Sequence, residues 1–351
     1  MAKIDLTLLK SKFRGSMLGV LTGDCLGHPY EGDELLTSGM KIILQKYFDK
    51  LEGPPYKAPA MQFTDDSVMT RSIAQSLIEK RQLDLLDIAK RFVKSYYEEP
   101  NRGYGPAVMT VFEKLRANRF SDLFTPAKEQ FNGQGSWGNG GAMRITPIAL
   151  FSHQNIDLLL EMTRKETQLT HTNKIGVDGA ILQAIAIRQS LLLNPDNELD
   201  VKQFIDDLIS QMDTIEFDEE GLGLVEPKPY KIQLSLVKTL ISEGEAANAE
   251  KVVQKLGTSV AALYSVPTAI YCFLRAQNQI EGIITDNPFR RTIQYAISLG
   301  GDTDTIGGMA GALAGAFYGD KIINPAILKH LEASEEFQLL GEKLSDVTLS
   351  Q

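Results

Sequence analysis

Between Asp84 and Glu99 the apolar residues Leu85, Ile88, Ala89, Phe92, Val93 and Tyr96 recur at the three-and-four spacing of one helix face, with Asp87, Lys90, Arg91 and Lys94 turned away from it. Val177, Ile181, Ile185 and Leu192 form a second stripe of the same kind. The same periodicity predicts helices near 5–22, 39–51, 67–80, 104–117, 141–151, 157–169, 200–212, 230–241, 259–276, 288–298, 305–318 and 323–344. Alternation of period two is almost absent, so the expected fold class is all-α. Pro267 falls inside the 259–276 stretch and should kink or restart its helix. Gly307, Gly311 and Gly315, four apart in an alanine-rich segment, would line one stripe and let a neighbouring backbone approach closely in a soluble core. Residues 49–60, with Pro54, Pro55 and Pro59, and residues 213–229, acidic and closing on Pro227 and Pro229, read as exposed excursions; neither divides the chain into domains.

Composition narrows the classes of function. A chain of 351 residues, 43% hydrophobic and 23% charged, can bury a large core without disulfide staples. Its 36 Lys and Arg against 45 Asp and Glu give a net charge of -9, which disfavours a broad electrostatic grip on nucleic acid or anionic lipid. A phosphate-bearing ligand would therefore be held locally, by backbone amides, helix N-termini or metal ions. The two cysteines, Cys25 and Cys272, make no CxxC motif and read as buried fillers in a reducing compartment. The first twenty residues lack the continuous apolar core of a secretory signal, and the uncharged run Thr305–Gly319 is shorter than the roughly 20 residues of a membrane crossing. A soluble intracellular protein is expected.

Two acidic clusters carry the sharpest chemical signal: Thr64, Asp65, Asp66 and Asp302, Thr303, Asp304, Thr305. Each stands just before an apolar helical run, where Thr or Asp can simply cap free amides. Adjacent Asp65 and Asp66 cannot both cap one helix efficiently, and an extended backbone through Asp302 and Asp304 would point both carboxylates the same way. No Lys or Arg lies beside either cluster except Arg71, more than a helical turn downstream. Four carboxylates brought together without cations repel strongly unless protonated or bridged by metal. Their hard oxygen donors suit Mg²⁺, Mn²⁺ or Ca²⁺, so the expectation is a two-metal site joining both ends of one domain.

Glycine-rich loops supply a second signal. Gly103, Tyr104, Gly105 opens one predicted helix, and the run from Gly133 to Gly141 opens another, where backbone amides could face a phosphate. Neither is a Walker loop or a strand-linked dinucleotide fingerprint. Phe131 and Trp137 flank the second loop and could stack on a base, although isolated aromatics more often fill a core. Judged by residue type alone, Glu31 is a solvated loop carboxylate and His171 a structural histidine. No Ser, His and Asp arrangement suggests a nucleophilic triad.

In order along the chain, GDCLGHPYEG, QFTDDSVMTRSIAQSL, GYGPAVMTVF, QFNGQGSWGNGGAMR, QLTHTNKIGVDGAILQA, SVPTAIYCFLRA and SLGGDTDTIGGMAGALAGAFYG resemble the ADP-ribosylglycohydrolase family, from about residue 13 to about 319. The QFNGQGSWGNGGAMR and SVPTAIYCFLRA segments resemble the type 3 members, which release ADP-ribose from serine and degrade poly(ADP-ribose). The resemblance implies a compact orthogonal helical bundle, residues 1–351 as a single domain, around a central binuclear Mg²⁺ site that could also take Mn²⁺. It implies Thr64, Asp65, Asp66, Asp302, Asp304 and Thr305 as metal ligands and Glu31 as the catalytic carboxylate on a movable flap, acting with the four aspartates. Gly103, Gly105, Gly135, Ser136, Gly138 and Asn139 would hold pyrophosphate and distal ribose, with Phe131 near the adenosine end, His171 near the pyrophosphate and Trp137 among the substrate-binding residues. Type 3 members have tyrosine where Trp137 stands, so this chain keeps the aromatic surface without the phenol hydroxyl.

The implied reaction cleaves ADP-ribose from protein serine, from poly(ADP-ribose) and from O-acetyl-ADP-ribose. The anomeric carbon develops oxocarbenium character while Glu31 transfers a proton. The implied partners are ADP-ribosylated proteins and ADP-ribose, with no direct nucleic-acid binding, no membrane and a monomeric state. The expected location is cytoplasm and nucleus with a mitochondrial fraction. Two rival readings stand beside it: a Mg²⁺-dependent pyrophosphohydrolase of nucleotide sugars, which would release AMP, and a non-catalytic ADP-ribose reader or structural protein.

Overall fold

The computed structural model describes residues 5–54, 56–57, 60–216 and 228–350. In chain order the helices are α1 (Leu6–Gly27), α2 (Ser38–Glu52), α3 (Asp65–Lys80), α4 (Leu85–Glu98), α5 (Pro106–Ala117), α6 (Thr125–Lys128), α7 (Gln130–Gly133), α8 (Gly140–Met143), α9 (Thr146–Phe151), α10 (Ile156–Thr167), α11 (Lys174–Leu192), α12 (Val201–Ile215), α13 (Pro229–Glu243), α14 (Ala249–Leu256), α15 (Ala262–Arg275), α16 (Pro288–Ser298), α17 (Thr303–Tyr318), α18 (Pro325–Leu328) and α19 (Ser334–Leu349). Among the described residues no strand forms, only isolated bridges such as Gly138 with Ala261 and Met61 with Leu331. The all-α expectation is met. Pro55, Pro59 and most of the 213–229 excursion lie outside the described residues.

Most boundaries fall where the periodicity put them, and the misses have local causes. The stretch expected at 141–151 is two short helices, because Pro147 starts α9 afresh. The single helix expected at 323–344 is α18 and α19, separated by a left-handed Ala333 and by a segment that exchanges backbone hydrogen bonds with Met61. Pro267 does not restart its helix: α15 runs through it, among buried neighbours on both sides. The eight-residue α14 escaped notice because so short a run carries little periodic signal. By length and apolar composition α11 could cross a membrane, yet it is buried within the fold.

The core is organised around α1, which Asp5 caps by accepting the amides of Thr7 and Leu8 and which is buried from Ser11 to Gly27 apart from Arg14. Gly15, Gly19, Gly23 and Gly27 form a stripe on it, and they face Gly315, Gly311, Gly307 and the Thr303–Asp304 turn of α17 in antiparallel register. A Cβ on Gly19 would sit 2.1 Å from the carbonyl oxygen of Gly311, and one on Gly23 would sit 2.1 Å from that of Gly307. The two backbones therefore touch. Ser16 Oγ donates to the Ala312 carbonyl at 3.0 Å and Thr303 Oγ1 to the Gly27 carbonyl at 2.9 Å, so the register is pinned by hydrogen bonds as well as by shape. The stripe on α17 was legible in the sequence; its partner on α1 was not recognised.

Each interior glycine disfavours its helix by about 1 kcal/mol relative to alanine, so this seam persists only because the approach it allows is worth more. Gly19→Val should lower the unfolding free energy by roughly 3 kcal/mol, since the clash is with rigid backbone. Gly39→Ala, where a Cβ meets nothing within 4 Å, should be neutral or slightly stabilising. Urea midpoints of the two variants check this, and equal midpoints would show that the seam is not a constraint.

Candidate active site

The seam places the N-terminus of α17 beside that of α3. Thr64 caps α3 by accepting the Asp66 amide at 3.3 Å, and the Asp65 amide donates to the Arg102 carbonyl at 2.7 Å. Asp302 occupies the cap position of α17 but makes no side-chain capping bond. Asp304 lies inside the first turn of α17, so the two carboxylates converge through a helix start and not through the extended backbone expected. Gly300 and Gly301, at φ +73° and +78°, deliver the chain into that turn; a Cβ on either would strike the backbone of Glu34 or Thr258. Hydrogen bonds from the Gly32 amide to the Gly301 carbonyl (2.9 Å) and from the Gly301 amide to the Asp33 carbonyl (2.8 Å) tie the Glu31 loop to the same segment.

A cavity of about 340 Å³ opens over this junction. Its lining includes Glu31, Asp65, Asp66, Asp302, Asp304 and Thr305 on one side, and Gly103, Gly105, Ser136, Gly138, Asn139 and His171 on the other. Four expected residues stay out of the lining. Phe131 and Trp137 pack on one another, ring centroids 4.7 Å apart, and are 43% and 41% exposed. Gly135 is pressed against Thr172 and serves the path of its loop. Thr64 is buried and caps α3.

The second glycine loop differs from the bare amide cradle expected. The amides of Gly135, Gly138 and Asn139 already donate to the Gln130 carbonyl, Ser136 Oγ and the Val260 carbonyl. What glycine supplies here is room: a Cβ on Gly140 would lie 2.6 Å from the His171 ring. Phe131 and Asn132, at φ +51° and +57°, hold the turn that turns Phe131 outward, a conformation that disfavours each by about 1 kcal/mol.

Two charged residues inside quoted motifs went unassigned. Asp24, fully buried on α1, accepts the amides of Thr64 and Ser67 at 3.1 Å each, and so fixes the start of α3. Arg144 is fully buried at the cavity wall, paired with Glu166 at 2.7 Å. The signal for both was a lone charge in an apolar or small-residue run, GVLTGDCLG and GGAMRITPIAL.

The electrostatics are severe. Burial, then the charges of Asp24 and its neighbours, pushes the Asp65 carboxyl up to about 8. Asp66 and Asp304 are driven well above the usual carboxylate range by burial first and by neighbouring carboxylates second. Burial also raises Asp302, against hydrogen bonds from Asp304, Asn139 and Thr305. Among the described residues no Lys or Arg forms an ion pair with these four aspartates; Arg71 turns to Glu99 and Glu336 instead. Clustered hard oxygens lacking a counter-charge fit a divalent cation. His28, Glu31 and Asp304 add a nitrogen and two carboxylate oxygens within 4.8 Å of one another at the mouth.

Residues 5–351 match the sequence profile of the ADP-ribosylglycohydrolase family. The chain is 40% identical to the ADP-ribosylhydrolase ARH3 of Gallus gallus, covering 97% of this chain and 94% of that protein. It is also 40% identical to the ADP-ribosylhydrolase ARH3 of Homo sapiens, covering 96% and 93%. A solved structure titled an ADP-ribosylglycohydrolase-related protein complex shares the fold, with TM-score 0.66 and 22% identity over 97% of this chain and 99% of that one. The chain belongs to the ADP-ribosylglycohydrolase family.

The raised carboxyls set a sign for pH dependence. Without cation, the folded chain keeps protons that the unfolded chain releases near pH 4, so stability should fall as pH rises from about 4 towards 8. Thermal unfolding in chelator should show that decline. Added Mg²⁺ or Mn²⁺ should raise Tm, and by more at pH 8 than at pH 5, where cations compete with protons. Asp304→Asn should shrink the rise. A Tm that neither ion moves at pH 8 would remove the acidic cluster as a cation site.

Proposed function

We propose, from membership of the ADP-ribosylglycohydrolase family, that this chain hydrolyses the glycosidic bond between ADP-ribose and serine oxygens of modified proteins, and also cuts poly(ADP-ribose) and O-acetyl-ADP-ribose. The observation that carries this reading is the convergence of two acidic helix starts, from opposite ends of the chain, under a cavity with Glu31 among its lining residues. That convergence also supports residues 1–351 as one domain. The resemblance to the ARH3 proteins supports an ADP-ribosylhydrolase, an enzyme acting on ADP-ribose glycosidic linkages.

In this reading Thr64, Asp65, Asp66, Asp302, Asp304 and Thr305 hold two divalent cations, Mg²⁺ or Mn²⁺. Such ions supply positive charge and Lewis acidity beside the distal ribose. Asn139, which donates to Asp302 at 2.5 Å and to Ser265 Oγ at 3.0 Å, holds that carboxylate in place. Thr305 steadies Asp66 and Asp302 through its hydroxyl. Apolar Met69, Pro106, Val108, Met143 and Val260 line the rest of the cavity and restrict water around the sugar. Glu31 moves the proton between the attacking water and the serine oxygen as the anomeric carbon takes on positive charge. The net charge of -9 supports action on modified proteins without a direct grip on nucleic acid, and the chain is taken to act as a monomer.

The test is release of ADP-ribose from a serine-ADP-ribosylated peptide, with the product identified by mass, in Mg²⁺ and then in excess chelator. Free ADP-ribose that disappears with chelator is expected. Glu31→Gln should lower kcat about 10²–10⁴-fold and leave the affinity for ADP-ribose within a few-fold. AMP as product would replace this reading with a pyrophosphohydrolase, and binding without turnover would replace it with a reader.

A further inference from the structure

The imidazole of His171 is backed by a line of buried polar side chains outside the acidic cluster. Arg144 donates through Nε to Glu166 Oε1 at 2.7 Å and through Nη1 to Thr170 Oγ1 at 2.8 Å. Thr170 Oγ1 lies 2.7 Å from His171 Nδ1. Arg144, Glu166 and Thr170 have no solvent exposure, and His171 retains 8%.

The donor and acceptor inventory decides which way these bonds run. A guanidinium has only donors, so Thr170 Oγ1 accepts from Arg144. A hydroxyl has one proton, and among the described residues that proton has no other acceptor than His171 Nδ1. Nδ1 must then be bare, and the ring proton sits on Nε2. We infer that Glu166, Arg144 and Thr170 form a relay that fixes the His171 tautomer, so that the ring offers an Nε2–H donor to an acceptor oxygen of the bound ligand.

The surroundings agree with that role. Burial, reinforced by the Arg144 charge, pushes the His171 pKa down to about 3, so the ring is a neutral donor and not a cation. Nε2 has no protein partner among the described residues. A Cβ on Gly138 would lie 3.4 Å from it, so this edge of the ring faces the glycine loop that lines the cavity. The backbone at the Thr170–His171 end of the relay is anchored as well: Gln130 Nε2 donates to the Thr170 carbonyl at 2.6 Å, and the His171 amide to the Thr167 carbonyl at 2.8 Å. Thr170 is thus a positioning residue acting through His171. The identity of the ligand rests on the proposed function; the tautomer does not.

The experiment is long-range ¹H–¹⁵N correlation on the full-length, ¹⁵N-labelled protein. With four histidines in the chain, the His171 signals are assigned by their loss in His171→Gln. Expected are a protonated Nε2 and an acceptor-type Nδ1 before any ligand is added. Thr170→Val should disturb that pattern, and should weaken ADP-ribose binding and raise KM about tenfold, the effect of losing one hydrogen bond to a charged acceptor. Its kcat should stay within about twofold, because only positioning is lost. Thr170→Ser, which keeps the hydroxyl, should restore both readouts, and it serves with the wild-type spectrum if the valine variant does not fold. A proton on Nδ1 of the wild-type ring, or a Thr170→Val spectrum and affinity unchanged from wild type, would overturn the relay. The expected tautomer in a protein that does not bind ADP-ribose would uphold the relay and overturn the proposed function.

Discussion

Everything at this site depends on two backbones touching. Where α1 and α17 cross without side chains between them, there is no rotamer to adjust and no slack to absorb a slip. A slip of one or two residues would set the glycines of one stripe against the larger neighbours of the other, and a slip of a full turn would break the Ser16 and Thr303 hydrogen bonds. The contact at Gly23 and Gly307 fixes Asp24, one residue along α1, and the contact at Gly27 reaches the Thr303–Asp304 turn. From Asp24 the constraint passes to α3, because its carboxylate binds the amides of Thr64 and Ser67. Two segments near the start of the chain and a third near its end thus receive their relative positions from one seam and one buried carboxylate.

That rigidity is what allows the electrostatics. Buried carboxylates close together and without a paired Lys or Arg would separate if the scaffold let them. Here the helices that carry them are locked, so burial first and repulsion second appear as raised carboxyl pKa values and not as an opened structure. The protein holds an unfavourable charge distribution ready for a positive partner, a strain that belongs to the site and is balanced by packing elsewhere. With a cation held there, as proposed above, a chain of net charge -9 would attract an anionic ligand locally and not through its whole surface.

Much of the fold was legible because helical periodicity survives in single segments. The α4 face from Leu85 to Tyr96 could be read directly, and Asp65, Asp66, Asp302 and Asp304 stood out because like charges without partners are unusual before apolar runs. What escaped was relational. The α1 glycines look like ordinary helix-weakening residues until the α17 stripe is laid against them. Asp24 and Arg144 look like stray charges until Thr64 and Glu166 supply their partners. The entry into α19 turns on a left-handed Ala333, a conformation its residue type does not announce.

The glycine loop shows why motif and mechanism must be argued separately. Glycines ahead of a helix suggest amides free for phosphate, and here three of those amides are committed inside the protein. Glycine is still needed, but for a steric reason: at Gly140 the missing Cβ admits the imidazole of His171. The loop then acts on a ligand indirectly, by giving a side chain a place from which to donate. The direction of that donation is set one step further back, where an arginine that can only donate leaves a threonine with a single proton and one place to put it. Acceptor recognition at this wall of the cavity is therefore settled behind His171, by the hydrogen bonds of Thr170 and Arg144, while the opposite wall is governed by charge.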